Sequence, residues 1–367
     1  MARMDAVSKQ TAAKIEKLAE AVMRTVKGGK NPFVEIPIRS LANVKWSEKK
    51  RLVELGGQKQ KRYFFNVSMA KKFMQTFLVS DACKELVESG KTTSIRDLYY
   101  VTKHTIGDTK QNTFEEQDES DPIIEDLEVA LDSLREELHL FASRKGSMVG
   151  PITIRDSGDT IDLRRMGSGG WAVPSIVEEN IIQFVRHEAK YILLIEKDAV
   201  WTRFNEDKFW KRERCIILQG GGQPPRGVRR LVQRLHSELK LPVYVLVDND
   251  PWGFYIYSVM KQGSINLAYE SMRMAVPDAR FVGLSSFDKQ KYKLPDNVAI
   301  KMDDGDNARA KQMLAYPWFK HQRWQREIAE MMTSGVKFEL EALSRRGISF
   351  ITEEYLPRKL KDKDWLE

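Results

Sequence analysis

The stretch Val243-Tyr-Val-Leu-Val-Asp248-Asn-Asp250-Pro-Trp-Gly253 decides how the chain is read. Its first half is an unbroken apolar, β-branched run, the pattern of a strand covered on both faces in a parallel sheet. The run ends in two carboxylates one residue apart, which point the same way if the extended geometry continues. Pro251 and Gly253 then end the strand and begin a turn. Carboxylates at the carboxyl edge of a parallel sheet occupy the usual ligand position of an open α/β fold. Oxygen ligands of this kind suit Mg²⁺ and leave room for water and phosphate. An isolated Asp-x-Asp is better read as an Asx-rich turn with solvated charges. A second strand with the same ending tips the balance towards a site.

That strand is Lys190-Tyr-Ile-Leu-Leu-Ile-Glu196. Between the two runs lie a polar helical stretch over about 199–212, a strand from Arg214 to Leu218, a glycine loop, and the amphipathic helix Val228-Arg-Arg-Leu-Val-Gln-Arg-Leu235. The pattern is β-α-β-α-β, with acids at the first and third strand ends. It resembles the Toprim domain of type II topoisomerases, bacterial-type primases and related nucleases. Asp248-Asn-Asp250-Pro-Trp-Gly253 resembles more narrowly the topoisomerase VI A-subunit family, which includes the meiotic double-strand-break protein. The resemblance implies that Glu196, Asp248 and Asp250 hold Mg²⁺.

A chain of 367 residues, 42% hydrophobic and 31% charged, is long enough for two domains with their own cores. Its longest apolar runs are strand-sized, which argues against a membrane span. Met1-Ala-Arg-Met-Asp5 lacks the plan of a secretion signal. The two cysteines, Cys83 and Cys215, sit far apart in apolar segments and read as buried thiols of a reducing compartment. The expected location is cytoplasmic, with the nucleoid. Net charge is +8, yet residues 111–140 hold eleven acids against one base, Arg135. The remainder is therefore strongly basic, which suits a polyanion and suits acidic protein partners equally well.

From the N-terminus, periodicity predicts a helix over about Val7–Val26, ended by Gly28-Gly29, serving as a capping helix or as a docking arm. Two strands follow, Phe33–Ile38 and Arg62–Val67, separated by a polar, lysine-rich segment. Ser68 can cap a helix to Ser89 with Gly90 as its stop, and Ser94-Ile-Arg-Asp97 looks like a capping box opening the next helix. Two helices joined by a short glycine turn make a helix-turn-helix candidate. A long helix over about Ile123–Ser143 and a hairpin over Ile152–Leu163, turning at Ser-Gly-Asp, complete a winged-helix pattern. Arg155, Arg164 and Arg165 on the hairpin are candidate phosphate contacts, or plain solvated arginines. Beyond the linker at Gly167–Gly170, a helix over Val177–His187 leads into the sheet. After Gly253 come a helix over Ile256–Gln262, a strand over Ala279–Leu284, helices over Asn307–Tyr316, Trp318–Ser334 and Lys337–Arg345, and a frayed charged tail.

On the helix after Ser94, Ile95, Leu98, Tyr99 and Thr102 share one face and read as core. Tyr100 lies off it, with Arg96 at i−4, Lys103 at i+3 and His104 at i+4. A phenol ionises near pH ~10, so cations that stabilise the phenolate would also bind the phosphate it attacks. Spacing thus singles out Tyr100, although an exposed tyrosine beside basic residues is also an ordinary surface feature. Arg96-Asp-Leu-Tyr-Tyr100 closely matches the motif around the active tyrosine of the topoisomerase VI A family, in which the second tyrosine is the nucleophile. Gly222-Gln-Pro-Pro-Arg-Gly-Val-Arg229 and Lys261-Gln-Gly-Ser264 extend the likeness to about residues 68–335. Trp252, where tyrosine is usual, and Gly221, where lysine is common, are mild departures.

The fold class implied is α/β and α+β multidomain. It comprises an N-terminal extension (1–67), a winged-helix (CAP-like, helix-turn-helix) domain (68–166), and a Toprim domain with a largely parallel sheet and a helical C-terminal region (167–367). The resemblance further implies Mg²⁺-assisted transesterification on duplex DNA: Tyr100 attacks, Arg96 pairs with phosphate oxygens, and Glu196 serves as ligand or general acid/base. Lys103 and Arg226 join the candidate DNA contacts. Neither Gly220-Gly-Gly-Gln-Pro nor Gly167-Ser-Gly-Gly has the spacing of a nucleotide cradle. Strand passage in the family that these motifs resemble uses ATP, so the resemblance implies that ATP is bound by a separate GHKL-type B subunit in an A2B2 complex containing a homodimer of this chain. Competing readings are a break-forming protein that does not reseal, a Toprim nuclease or primase with a structural Tyr100, and a winged-helix regulator.

Overall fold

The computed structural model describes residues 5–367; the first four, and with them most of the Met1–Asp5 stretch and the start of the expected 1–67 extension, lie outside that range. The chain divides into two compact units, residues 1–44 with 55–143, and residues 45–54 with 144–367. The division thus falls between Ser143 and Arg144 and not at the expected 166/167.

In the first unit Asp5 caps the helix Ala6–Lys27 by accepting the Ser8 N–H at 2.7 Å, and Ala12, Ile15 and Val22 face inward. Phe33–Pro37 pairs antiparallel with Lys59–Tyr63. The intervening segment, expected to be polar loop, carries a further hairpin of Val44–Ser47 and Leu52–Leu55, most of it counted with the second unit, because Leu52 and Val53 are buried despite the lysines around them in sequence. The next helix, Val67–Ser89, is capped by Asn66 and not by Ser68: the Asn66 side chain accepts the Ser68 N–H at 3.1 Å. Gly90 ends it in the left-handed conformation, at φ 67°. The helix expected over 123–143 is shorter, Ser120–Leu131. Asp132 turns left-handed, and Leu138 and Leu140 fold back into the core as Leu140–Phe141 pairs with Thr93–Ser94. Part of the acidic strip is neutralised inside the fold, where Asp126 pairs with Arg39 at 2.8 Å and with Arg62.

The second unit is built on a six-stranded sheet. Its strands run in the order Trp171–Ala172, Ser147–Val149, Cys215–Gln219, Tyr191–Ile195, Val243–Leu246, Arg280–Gly283. The last four are mutually parallel, which gives the largely parallel sheet. All five residues of Tyr191–Ile195 are buried, as a strand covered on both faces requires. Cys215 and, in the first unit, Cys83 are buried free thiols; burial raises Cys83 to about 12. Among the described residues no helix is long and apolar enough to cross a membrane.

Other expectations are corrected here. The hairpin Ile152–Asp156/Asp159–Asp162 exists, turning through Ser157 and Gly158 at positive φ, but it belongs to the second unit. Its partner is Ile182–His187, expected to be helical, which supplies a third antiparallel strand. The hairpin's free edge offers backbone groups that an extended segment satisfies and a helix cannot. The polar helix over 199–212 breaks into Asp198–Glu206 and Phe209–Arg212, with Lys208 left-handed between them. Leu340–Arg346 forms tight 3-10 turns in place of a helix from Lys337. The tail is no frayed end: Lys359 is buried between Asp288 (2.9 Å) and Asp364 (3.0 Å), and Leu366 exchanges backbone hydrogen bonds with Phe281.

Candidate active site

The chain leaves Tyr191–Ile195 towards one side of the sheet and Val243–Leu246 towards the other, so the crevice between their carboxyl ends is the topological switch point. Glu196 follows the first strand and Asp248 the second, and the register pairs Ile195 with Leu246. The Glu196 N–H donates to Leu246 O at 3.0 Å, and the Asp248 N–H donates to Glu196 Oε2 at 2.9 Å. Asp250 opens the helix Pro251–Gln262, accepting the Gly253 N–H at 2.5 Å, with Pro251 in the first turn. The expected turn is therefore a helix N-terminus, which adds its dipole to the acidic edge.

Asp248 is 4% exposed, and both its oxygens are engaged: Oδ1 accepts the Leu340 N–H at 2.8 Å and Oδ2 lies 2.9 Å from Lys197 Nζ. Asn249 pairs through its backbone with Phe338, so the segment carrying Leu340 is laid against the acid loop. Burial, and next the neighbouring Asp248 charge, push Glu196 up to about 7. Burial raises Asp248 to about 6 despite the Leu340 N–H and Lys197, and raises Asp250 as well. Burial alone would lower the Lys197 ammonium, but hydrogen bonds to Glu341 and Asp248 outweigh it.

These are oxygen donors whose ionised forms are short of counter-charge, the chemistry a hard divalent cation relieves. Among the described residues no three acid, histidine or cysteine side chains converge into a ready-made metal cage. The hydrogen bonds account for that: Glu196 is turned to a backbone N–H, Asp250 caps a helix, and Asp248 faces an ammonium. The donor set fits Mg²⁺, provided Lys197 releases Asp248. Sequence reasoning passed over Lys197, although it adjoins Glu196, and had no signal for Leu340, whose contribution is a backbone N–H 92 residues away.

Around this centre the Gly222 N–H donates to Glu196 O at 3.0 Å, tying the glycine loop to the first acid. Trp252 is 48% exposed, and the Arg309 guanidinium lies over its ring and that of Tyr255, 4.4 Å from each centroid. Arg226 does not face solvent as a phosphate contact would: it is buried and ion-paired with Glu270. Arg155 is exposed and reaches Gln183 at 3.3 Å; Arg164 pairs with Asp162 at 2.8 Å; Arg165 is exposed.

In the first unit, Ser94 caps the helix Ile95–Thr102 through the Asp97 N–H at 3.0 Å. Leu98, Tyr99 and Thr102 are buried, Ile95 partly, while Tyr100 is 60% exposed, as helical arithmetic predicts. Tyr99 donates to Glu115 O at 2.8 Å and packs edge-on against Tyr100, ring centroids 5.0 Å apart. Lys103 departs from expectation. The helix stops at Thr102, and the Lys103 ammonium turns to Tyr99 Oη (2.8 Å) and Glu115 O (3.0 Å). Arg96 is exposed one turn before Tyr100.

Residues 191–360 match the Toprim-domain family of the topoisomerase 6 A subunit and Spo11, residues 71–140 the family described as "Type IIB DNA topoisomerase", and residues 145–188 "All-beta domain in DNA topoisomerase VI alpha subunit". The last of these contains the hairpin that sequence reasoning assigned to the winged helix. A protein of Pyrococcus horikoshii, named as the A subunit of type 2 DNA topoisomerase 6, is 45% identical over 359 residues, covering 95% of this chain and 93% of its own. One of the same name from Saccharolobus shibatae is 39% identical over 100% of this chain and 98% of its own. The A3 subunit of DNA topoisomerase 6 from Oryza sativa subsp. indica is 35% identical over 99% of this chain and 80% of its own. With its switch-point acids, its exposed second tyrosine and relatives matching from end to end, the chain belongs to the Spo11 and topoisomerase 6 A-subunit family of type IIB DNA topoisomerases.

Proposed function

We propose that this chain is the DNA-cleaving A subunit of an ATP-dependent type IIB topoisomerase, with Tyr100 as nucleophile. The observation that carries the reading is the pairing of Glu196 with Asp248 at the switch point, in a chain that resembles topoisomerase 6 A subunits throughout. Tyr100 Oη forms a bond to a backbone phosphorus as the bond to the 3′ oxygen breaks; the phenol loses its proton and the 3′ oxygen gains one. The product is a 5′-phosphotyrosyl link, which keeps the bond energy for resealing. Arg96 pairs with the non-bridging oxygens through its planar fork. Glu196, Asp248 and Asp250 would hold Mg²⁺, which supplies charge stabilisation at the phosphate. The raised Glu196 also supports a share in proton transfer.

Two strand breaks require two tyrosines, hence a homodimer acting on duplex DNA in the nucleoid. The N-terminal unit would act as the winged-helix module, its helix-turn-helix being Val67–Ser89 and Ile95–Thr102. Arg155 and Arg165 remain exposed enough to meet phosphates. ATP would be bound by a B subunit, docked on the helix Ala6–Lys27, where Val7, Met23 and Val26 are exposed. Deleting residues 1–26 without loss of B-subunit binding would refute the docking site. Relaxation of supercoiled plasmid by the chain with a B subunit, ATP and Mg²⁺ tests the whole reading. Persistent breaks without relaxation would assign the chain to the break-forming branch instead.

A further inference from the structure

Resting on the metal site proposed above, we infer that Lys197 is a tethered counter-ion: it holds the cation position on Asp248 until a divalent ion arrives, and is then taken over by Glu339 and Glu341. Lys197 Nζ lies 2.9 Å from Asp248 Oδ2, 2.9 Å from Glu341 Oε2 and 3.3 Å from Glu339 Oε2. Asp248 Oδ1 is oriented by the Leu340 N–H, and the ammonium lies on Oδ2, where it competes with an incoming ion for that oxygen. A buried carboxylate without a counter-charge is costly, which accounts for the ammonium beside it. Lysine suits exchange, being a compact charge on a flexible stem whose head can move while the backbone stays.

The receiving carboxylates are well placed. Glu339 and Glu341 bracket Leu340, so the segment that pins Asp248 also offers the lysine an alternative seat. Their side chains are 54% and 45% exposed, against 6% for Asp248, so that seat lies at the solvent edge. The other nearby ammonium, Lys337, is held 2.6 Å from Asp306. Lys197 is thus a positioning residue that sets how much divalent ion is needed to arm the site, and Glu339 and Glu341 lower that requirement by drawing it away.

Mn²⁺ titration of the full chain by calorimetry, with thermal melts in parallel, tests this. Lys197→Met should bind Mn²⁺ at least about fivefold more tightly, with a lower melting temperature without metal and a larger rise on adding it. Glu339→Gln/Glu341→Gln should weaken binding by a similar factor in the wild-type background and have no effect on top of Lys197→Met. Unchanged or weaker binding by Lys197→Met would overturn the exchange. Equal losses from the glutamate changes in both backgrounds would do so too, making them ligands in their own right. Asp250→Asn separates the two levels of failure. If it binds Mn²⁺ like wild type, the metal-site reading itself falls; if it abolishes binding while Lys197→Met changes nothing, only the exchange does.

Discussion

The Asp248 N–H donates to Glu196 Oε2 at 2.9 Å, so the acid ending one strand is locked to the backbone ending its neighbour. The lock holds Glu196 in a half-buried place beside a second carboxylate, and it raises a stability question that pH answers. Glu196 titrates near 4.5 when unfolded and about 7 when folded without metal. Between those values the folded chain binds more protons than the unfolded one, so this group's contribution falls as pH rises and is flat above about 7. Glu196→Gln removes the dependence. Its stability relative to wild type should grow between pH 4.5 and 7 by up to about 3 kcal/mol, measured by urea unfolding in EDTA. A difference independent of pH would contradict the buried, repelled carboxylate.

Adjacent tyrosines should separate cleanly. Tyr100→Phe is expected to change stability by less than about 0.5 kcal/mol, its ring being exposed, while abolishing strand cleavage. Tyr99→Phe breaks the bonds to Glu115 and Lys103 and should cost about 1 kcal/mol while leaving cleavage measurable. Thermal melts and plasmid nicking on the two variants check both halves.

The arginines divide in the same manner. Arg226→Ala removes one of the two arginines on buried Glu270, leaving Arg273 at 2.9 Å, and should cost about 1.5–3 kcal/mol. Arg155→Ala and Arg165→Ala should leave the melting temperature in place and each lower the salt dependence of duplex binding by about one phosphate contact. A normal melting temperature for Arg226→Ala would contradict its place in the fold.

Gly253 is a steric fixed point. A Cβ there would collide with the Asp248 carbonyl oxygen, a backbone atom that cannot step aside without moving the acid loop. Gly253→Ala should destabilise by about 1–3 kcal/mol and weaken Mn²⁺ binding together. Loss of stability with unchanged ion affinity would show that the loop absorbs the shift.

The acids and the parallel sheet were legible because two continuous apolar runs, each ending in Asp or Glu, fit a doubly covered sheet with a polar edge and little else. The exposure of Tyr100 was legible because helical spacing separates it from Leu98 and Tyr99. Tertiary choices were not. Ile182–His187 has a composition open to helix, and only the edge of the hairpin Ile152–Asp162 makes it a strand. Arg226 sits in a basic loop-to-helix junction that reads as surface until Glu270, 44 residues on, buries it. Lys103 stands at helical spacing from both tyrosines, three residues after Tyr100 and four after Tyr99, and spacing alone does not tell which of them it meets. Lys359 and Leu366 looked like tail, since nothing local announces Asp288 or Phe281 as their partners.

The most direct test of the account is capture of the covalent intermediate. Wild type and Tyr100→Phe are incubated with supercoiled plasmid, a B subunit, Mg²⁺ and ATP, then denatured, and the DNA ends are labelled before and after protease. The account predicts double-strand breaks with 5′ ends blocked by protein in wild type and no breaks in Tyr100→Phe. Breaks with free 5′ ends from both proteins would contradict it and make the switch-point acids those of a metal nuclease.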